Sequence, residues 1–297
     1  MSNGGRQSRR VSRRRDEPGG GAGEQLGFEG MPEKLFVGTP SKLLSYEDCP
    51  RRYRHSYLDR PMPVKGPPWA HNSLGSSVHT ALRSWHMLPP AKRRVEAVPA
   101  LLRATWVSEG YRDAEQEQAA FDRAAQWLTD YVSGLDPADE PLGVERTVAA
   151  KTGALALSGR VDRLDQRGDE VVIVDYKTGR SELTDDDARG SRALALYAYA
   201  AERTVRRRCR VVELHHLPTD SVARHRHTEE SIARHLRRAE ETVADIRAAE
   251  RAVAAGGDPD EAFPTTPSRL CSWCDWRKVC PAGAQAPDRE PWAALPS

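Results

Sequence analysis

The sequence has no apolar run long enough to cross a bilayer, which takes about 20 predominantly apolar residues. Its Arg-rich opening leads into Gly and acidic residues where a secreted protein would carry a hydrophobic signal core. These absences give the expectation of a cytoplasmic protein with no membrane partner. G-x-x-x-x-G-K-[ST] is also missing, so the chain has no P-loop to cradle ATP phosphates. No internal repeat is present, which sets repeat architectures aside. Nor is there an excess of one charge: residues 1–30 hold six Arg and four acidic residues, and the remainder balances at 39 basic against 39 acidic. Bulk charge alone therefore does not announce a nucleic-acid binder.

What is present is an ordinary globular balance, 30% charged and 38% hydrophobic over 297 residues, enough for a sizeable core. The opening "MSNGGRQSRRVSRRRDEPGGGAGEQ" is low in complexity and cannot bury enough apolar surface to offset its ordering entropy. Residues 1–30 are expected to be a disordered tail.

Beyond the tail, Ser41 is placed as an N-cap of a helix that Pro50 restarts after Cys49. Apolar residues at helical spacing mark further helices over 75–88, 91–110 and 113–132. The character changes at Pro141, where alternation and β-branched residues between Gly-containing turns indicate three strands. A helix over 191–205, two strands over 209–217 and 221–228, and a long polar helix over 229–255 follow. This order of elements indicates one α/β domain.

The stretch "SGRVDRLDQRGDEVVIVDYKTG", residues 158–179, places charges where apolar side chains would serve a hairpin better. An even turn around "QRGD" would bring Asp162, Asp175 and Lys177 to one face of the hairpin, and an odd turn would separate them. "VVIVDYK" is apolar on both faces, as in a central strand, so Asp175 closes a buried strand and needs a partner. Two carboxylates that converge repel unless a proton or a hard cation such as Mg²⁺ or Mn²⁺ lies between them. A Lys on the same face suits phosphodiester hydrolysis, where it can serve the attacking water and stabilise charge on a phosphate oxygen. The alternative is a solvent-facing hairpin decorated with charge.

Of the five cysteines, Cys271, Cys274 and Cys280 read C-x2-C-x5-C, a spacing that in a cytoplasmic chain argues for metal over disulfides. Cys49, also followed by Pro, is the natural fourth ligand, whereas Cys209 begins a strand and reads as a small buried hydrophobe. Zinc and an iron-sulfur cluster are both open on spacing.

With these residues in view, residues 39–283 resemble a RecB-type nuclease of the PD-(D/E)XK superfamily, in the branch of AddB-like and CRISPR-associated exonucleases that carry an iron-sulfur cluster. The resemblance is carried, in this order, by "SKLLSYEDCPRRYRHSYL", "GSSVHTAL", "GRVDRLD", "IVDYKTG" and "CSWCDWRKVCP". It implies a restriction-endonuclease-like α/β fold: a central mixed sheet flanked by helices, with the helical N-terminal part clasped to the C-terminus by a metal cluster. The nuclease domain would span 31–283, and 284–297 would be a flexible tail. The resemblance makes His79, Asp162 and Asp175 ligands of Mg²⁺ or Mn²⁺, and Lys177 catalytic beside the two Asp. Cys49, Cys271, Cys274 and Cys280 become ligands of a [4Fe-4S] cluster. Glu145, on the preceding strand, is an accessory candidate. The family places a Gln four residues before the Tyr of the next helix; here Ala193 stands four before Tyr197, which makes Tyr197 and Arg192 accessory candidates for contacting DNA. The implied activity is a metal-dependent DNA exonuclease in repair, recombination or foreign-DNA processing, with any helicase or adaptation protein a separate partner. The competing expectation is a noncatalytic DNA-binding or scaffold subunit.

Overall fold

A computed structural model describes residues 34–295; the expectation of a disordered tail over 1–30 lies outside them. Six strands form one mixed sheet: β1 (Phe36–Gly38), β2 (Gly143–Lys151), β3 (Leu155–Arg167), β4 (Glu170–Lys177), β5 (Cys209–His216) and β6 (Ser221–Arg226). The order is β1-β3-β4-β5-β6, with β2 on the other edge of β3. β1–β3 and β4–β5 are parallel pairs and the rest are antiparallel. The main helices are α1 (Pro40–Asp48), α2 (Pro50–Tyr57), α3 (Ala70–His86), α4 (Val98–Ala104), α5 (Ala114–Ser133), α6 (Asp185–Gly190), α7 (Arg192–Val205) and α8 (Glu229–Ala254).

The sheet is covered on both faces, which is why β4 reads as a continuous apolar run. Val171 and Ile173 enter a core shared with α1, α2, α7 and α8. Val172, Val174 and Tyr176 enter a second core with α3, α4 and α5. Each of these valines, fully buried, stabilises the fold by roughly 1.5–3 kcal/mol, so an Asp at the end of such a strand forfeits that gain. Period-two alternation puts Asp175 and Lys177 on the side of Val171 and Ile173.

The β3–β4 turn is even. Arg167 pairs with Glu170 across Gly168 and Asp169, and Gly168 has φ +61, a left-handed conformation that glycine adopts without steric cost. The ladder then runs to Arg163↔Val174 and stops. On the same edge of β3, β1 takes up Leu155, Ala156 and Leu157, which leaves residues 158–162 between two partners. In that gap the Tyr176 N–H donates to Asp162 Oδ2 at 2.8 Å, so a side chain replaces the missing ladder bond.

Three local expectations shift. Helix α1 is capped by Thr39, not Ser41: the Thr39 hydroxyl accepts from the Lys42 N–H at 3.1 Å, and Pro40 occupies the first turn. The helix expected over 91–110 shrinks to α4 behind two short 3₁₀ turns, because Pro99 starts a new helix and buried Arg93 binds the loop. The guanidinium of Arg93 donates to Leu88 O, Pro137 O and Asp139 O at 2.8, 3.1 and 2.9 Å. Residues beyond 284, expected as a flexible tail, make contacts: Ala70 N–H donates to Pro291 O at 3.1 Å, and Leu295 packs on the second core.

Helix α2 is tied to the C-terminal segment by the polypeptide itself. Arg51 donates to Phe263 O and Asp260 O, both at 2.9 Å, and Arg54 pairs with Asp260 at 2.7 Å. The Trp276 indole N–H donates to Ser56 Oγ at 3.0 Å, and Tyr53 stacks on Phe263 at 6.3 Å. Among the described residues no helix is long and apolar enough to cross a membrane.

Candidate metal centre and cysteine pocket

Three strands place three carboxylates in a row. One step past Arg163↔Val174, Asp162 stands opposite Asp175. On the other edge of β3, Glu145 falls between the pairs Val144↔Arg163 and Arg146↔Val161, which sets it opposite Asp162. Glu145 has φ +49, left-handed backbone that a residue with a Cβ adopts at a cost of about 1–2 kcal/mol. Such an outlier persists where the surroundings over-determine it, and it points to function.

Helix α3 supplies the imidazole. Leu74, Val78, Ala81, Leu82 and Trp85 face the second core at helical spacing, and this packing brings half-buried His79 to the gap in the sheet. Its Nδ1 lies 3.3 Å from Asp162 Oδ2, and its ring meets Tyr176 edge-on at 5.9 Å. Ligand atoms of His79, Glu145 and Asp162 lie mutually within 4.8 Å, the one such set among the described residues. Asp175 is ion-paired with Lys177, and Glu145 with Arg160 at 2.6 Å.

The electrostatics are those of groups crowded around one point. Burial raises the Asp175 pKa; Lys177 opposes the shift and Asp162 adds to it. Glu145 is raised chiefly by burial, against Arg160 and with Asp162. Burial works against a proton on His79, but its hydrogen bond to Asp162 and the charges of Asp162 and Asp175 outweigh that, so its pKa is raised. Protons or a cation relieve such convergence, and one imidazole with carboxylate oxygens is a donor set that suits Mg²⁺ or Mn²⁺. The residues fit the metal.

Tyr197 sits over this centre from α7. Gly159 is required there, because a Cβ would collide with the Tyr197 ring. The phenol is pushed up to about 12, first by burial and then by Asp175 and Asp162. Arg192 goes elsewhere: it pairs with Glu47 of α1 and does not line the clefts around the centre. Arg83 and Arg160, which the sequence did not single out, line the cleft with Glu145, Asp162 and Tyr197. The signal for Arg160 was the β2–β3 register, and that for Arg83 its place four residues after His79 on the same helix.

Cys49, Cys271, Cys274 and Cys280 line one pocket with Arg51, Arg52 and Arg277. All four thiols are free and half-buried. The Thr266 N–H donates to Cys49 Sγ at 3.5 Å and the Ser268 N–H to Cys271 Sγ at 3.4 Å, as thiolate ligands require. No three of these thiols lie mutually within 4.8 Å. The pocket's sulfur donors and flanking cations fit an anionic thiolate-bound group. Cys209 is buried at the head of β5, where burial first and then Glu202 and Glu170 push its pKa up to about 12; it stays a protonated core side chain.

Residues 38–281 match the PD-(D/E)XK nuclease superfamily. Among solved structures, a protein from Eubacterium rectale, provisionally assigned as an exonuclease, aligns with 80% of this chain and 86% of its own at 11% identity and TM-score 0.47. The protein SSO0001 aligns with 86% of this chain and 90% of its own at 15% identity and TM-score 0.37. No curated protein matches the chain.

Proposed function

Because the chain belongs to the PD-(D/E)XK nuclease superfamily, we propose that it is a metal-dependent DNA exonuclease of the RecB-like branch, with residues 31–283 as its nuclease domain. The observation that carries the reading is the meeting of His79, Glu145, Asp162, Asp175 and Lys177 at the gap between β3 and β4. His79, Glu145 and Asp162 would hold the divalent ion, with Asp175 beside them. Mg²⁺ or Mn²⁺ supplies, when bound, Lewis acidity toward the phosphate and the attacking water.

The chain's own groups do the positioning. Asp175 keeps the Lys177 ammonium over the centre, where it orients the water and stabilises charge developing on a phosphate oxygen. Water attacks phosphorus, one ester P–O bond breaks, and the departing sugar oxygen takes up a proton. Tyr197 closes the α7 side, and Arg83 and Arg160 offer positive charge to neighbouring phosphates.

The cysteine pocket is assigned a [4Fe-4S] cluster held by Cys49, Cys271, Cys274 and Cys280. Four thiols lining one pocket with Arg51, Arg52 and Arg277 support the reading, since the flanking cations suit a bound group with net negative charge. The cluster would add its bonds to the contacts that already join α2 to the C-terminal segment.

The test is purified protein incubated with end-labelled single- and double-stranded DNA in Mg²⁺, Mn²⁺ or chelator, with iron, sulfide and zinc measured on the same sample. Metal-dependent release of short products from an end, with iron and sulfide in equal amount, is expected. Binding without cleavage in either metal would return the protein to the noncatalytic class, and one zinc without iron would replace the cluster.

A further inference from the structure

A second cleft opens beside α3, meeting the first at Gly75 and His79, and has a volume of about 780 Å³. Lys177 lines it. The composition of its wall is one-sided: Arg123 of α5, Lys177, Arg180 and Arg289 contribute positive charge, and no Asp or Glu lines it. A cleft between β3 and the loop after α5 differs sharply, with Asp136, Asp139, Glu140 and Asp165 lining it beside Arg163 and Arg167. In the second cleft Lys177 is ion-paired with Asp175, and among the described residues Arg123, Arg180 and Arg289 face the space without a carboxylate on the wall.

Two polar atoms on this wall also lack what buried atoms normally have. Arg123 Nη2 and His71 Nδ1 are buried without a hydrogen-bond partner. Buried donors are almost always satisfied, and a guanidinium on a wall without carboxylates is completed by an acceptor from outside the chain.

Flat aromatic surface stands on both sides. Trp127 lies four residues after Arg123 on α5, so the indole and guanidinium share one helix face. Trp273 comes from the opposite wall, between Cys271 and Cys274, and is braced by Trp69 at 5.2 Å and His71 at 5.6 Å. The guanidinium of Arg289 lies 5.8 Å from its ring centre. Guanidinium groups with interleaved indoles match a polymer that alternates phosphates with aromatic faces. In a duplex those faces are covered by neighbouring bases, and in a single strand they are open.

We propose that this cleft binds single-stranded nucleic acid, with bases stacked on Trp127 and Trp273 and phosphates on Arg123, Arg180 and Arg289, and that it delivers the strand to Lys177. The inference rests on the nuclease reading and adds to it the strandedness of the substrate and the residues that select it. It also gives the cysteine segment a second role, because the pocket that fixes Cys271 and Cys274 fixes Trp273 between them.

The test is fluorescence anisotropy of a labelled oligothymidylate of about 20 nucleotides, and of a duplex of equal length, with the full chain in chelator so that nothing is cut. Arg123→Gln, Trp127→Leu and Trp273→Leu should each weaken single-strand binding roughly 5- to 100-fold, the range expected for loss of one stacked base or phosphate contact. Trp127→Phe should restore most of the affinity, and the same factors should appear in KM for single-stranded substrate. Arg180→Gln, on an exposed loop, keeps the test valid if a Trp variant fails to fold. Wild-type affinity in Arg123→Gln and Arg180→Gln, or equal binding of duplex and single strand, overturns the proposal. Asp162→Asn separates the two readings: it should bind the oligonucleotide and fail to cut. If Asp162→Asn cuts like wild type, the catalytic assignment fails while the binding result stands.

Discussion

The carboxylate centre and the cysteine pocket rest on different scaffolds. The first grows from three adjacent strands whose register is fixed by cores on both faces of the sheet. Its side chains work against the fold: Glu145 holds left-handed backbone, and Asp175, Glu145 and His79 all have raised pKa values. The second is made where α2 meets a segment of short 3₁₀ turns more than two hundred residues away, and its side chains join the two. Chemistry is therefore at risk at the first site, and attachment of distant parts of the chain at the second.

The largest effect should come from separating these quantities at the carboxylate centre. Asp162→Ala, Asp175→Ala and Lys177→Ala should each lower DNA cleavage by about 100-fold or more, with losses that do not add in the double variants. Asp175→Ala should melt near wild type, because it removes a crowded charge, whereas Asp162→Ala, which takes the acceptor from the Tyr176 N–H, should cost about 1–3 kcal/mol, and Lys177→Ala, which leaves Asp175 without its counter-charge, should also melt lower. A collapse of the melting temperature would show that this site also holds the fold together.

The cysteines should show the reverse. Cys49→Ala, Cys271→Ala, Cys274→Ala and Cys280→Ala should lose the brown colour, the iron and soluble yield together, with melting lowered by roughly 2–4 °C for every kcal/mol lost. Cys209→Ala should keep the colour and lose about 1 kcal/mol of packing. If Cys49→Ala keeps its full metal content, the pocket does not join the two segments.

A titration sharpens the contrast further. Raised pKa values on His79, Glu145 and Asp175 mean that the folded chain holds protons there which the unfolded chain releases, so these groups stabilise at low pH and that contribution is lost as pH rises through the raised values. A metal ion competes with those same protons. The rise in melting temperature on adding Mn²⁺ should therefore grow from about pH 5.5 to about pH 8, through and above the ordinary His value of about 6.5. The difference with and without Mn²⁺ is the proper readout, because His86 and His227, with pKa values lowered to about 4 mainly by burial, pull bare-protein stability the other way. A metal effect that shrinks as pH rises would remove these groups from the ion.

The smallest effect is the most diagnostic of cost. Asn tolerates left-handed backbone better than most residues, so Glu145→Asn should leave the chelated protein as stable as wild type or up to about 1 kcal/mol more stable, while calorimetry shows weaker Mn²⁺ binding. A clear loss of stability in chelator would mean that Glu145 serves the fold.

The hairpin was legible in the sequence because its evidence is local: "VVIVDYK" marks a central strand, and the even turn at Gly168 and Asp169 fixes which side chains share a face. The cysteine pocket was legible through spacing. Glu145 was only an accessory candidate because its orientation depends on a backbone conformation that no side-chain pattern encodes. The place of Arg192 is set by its ion pair with Glu47, a partner distant in sequence that no local pattern reveals. The cleft of Trp127 and Trp273 joins residues nearly 150 positions apart, and only the tertiary fold brings them together.

The bonds from Arg51 to Phe263 and Asp260 also set an order of assembly. Synthesis proceeds from the N-terminus, so α1 and α2 emerge long before the residues that cover Tyr53 and receive Arg51. Closing so long a loop is entropically costly until the intervening sheet has drawn its ends together. A nascent chain thus exposes the aromatic face of α2 until the last quarter of the protein has left the ribosome, and a chaperone that shields that face during this interval would decide how much of the protein reaches its native form.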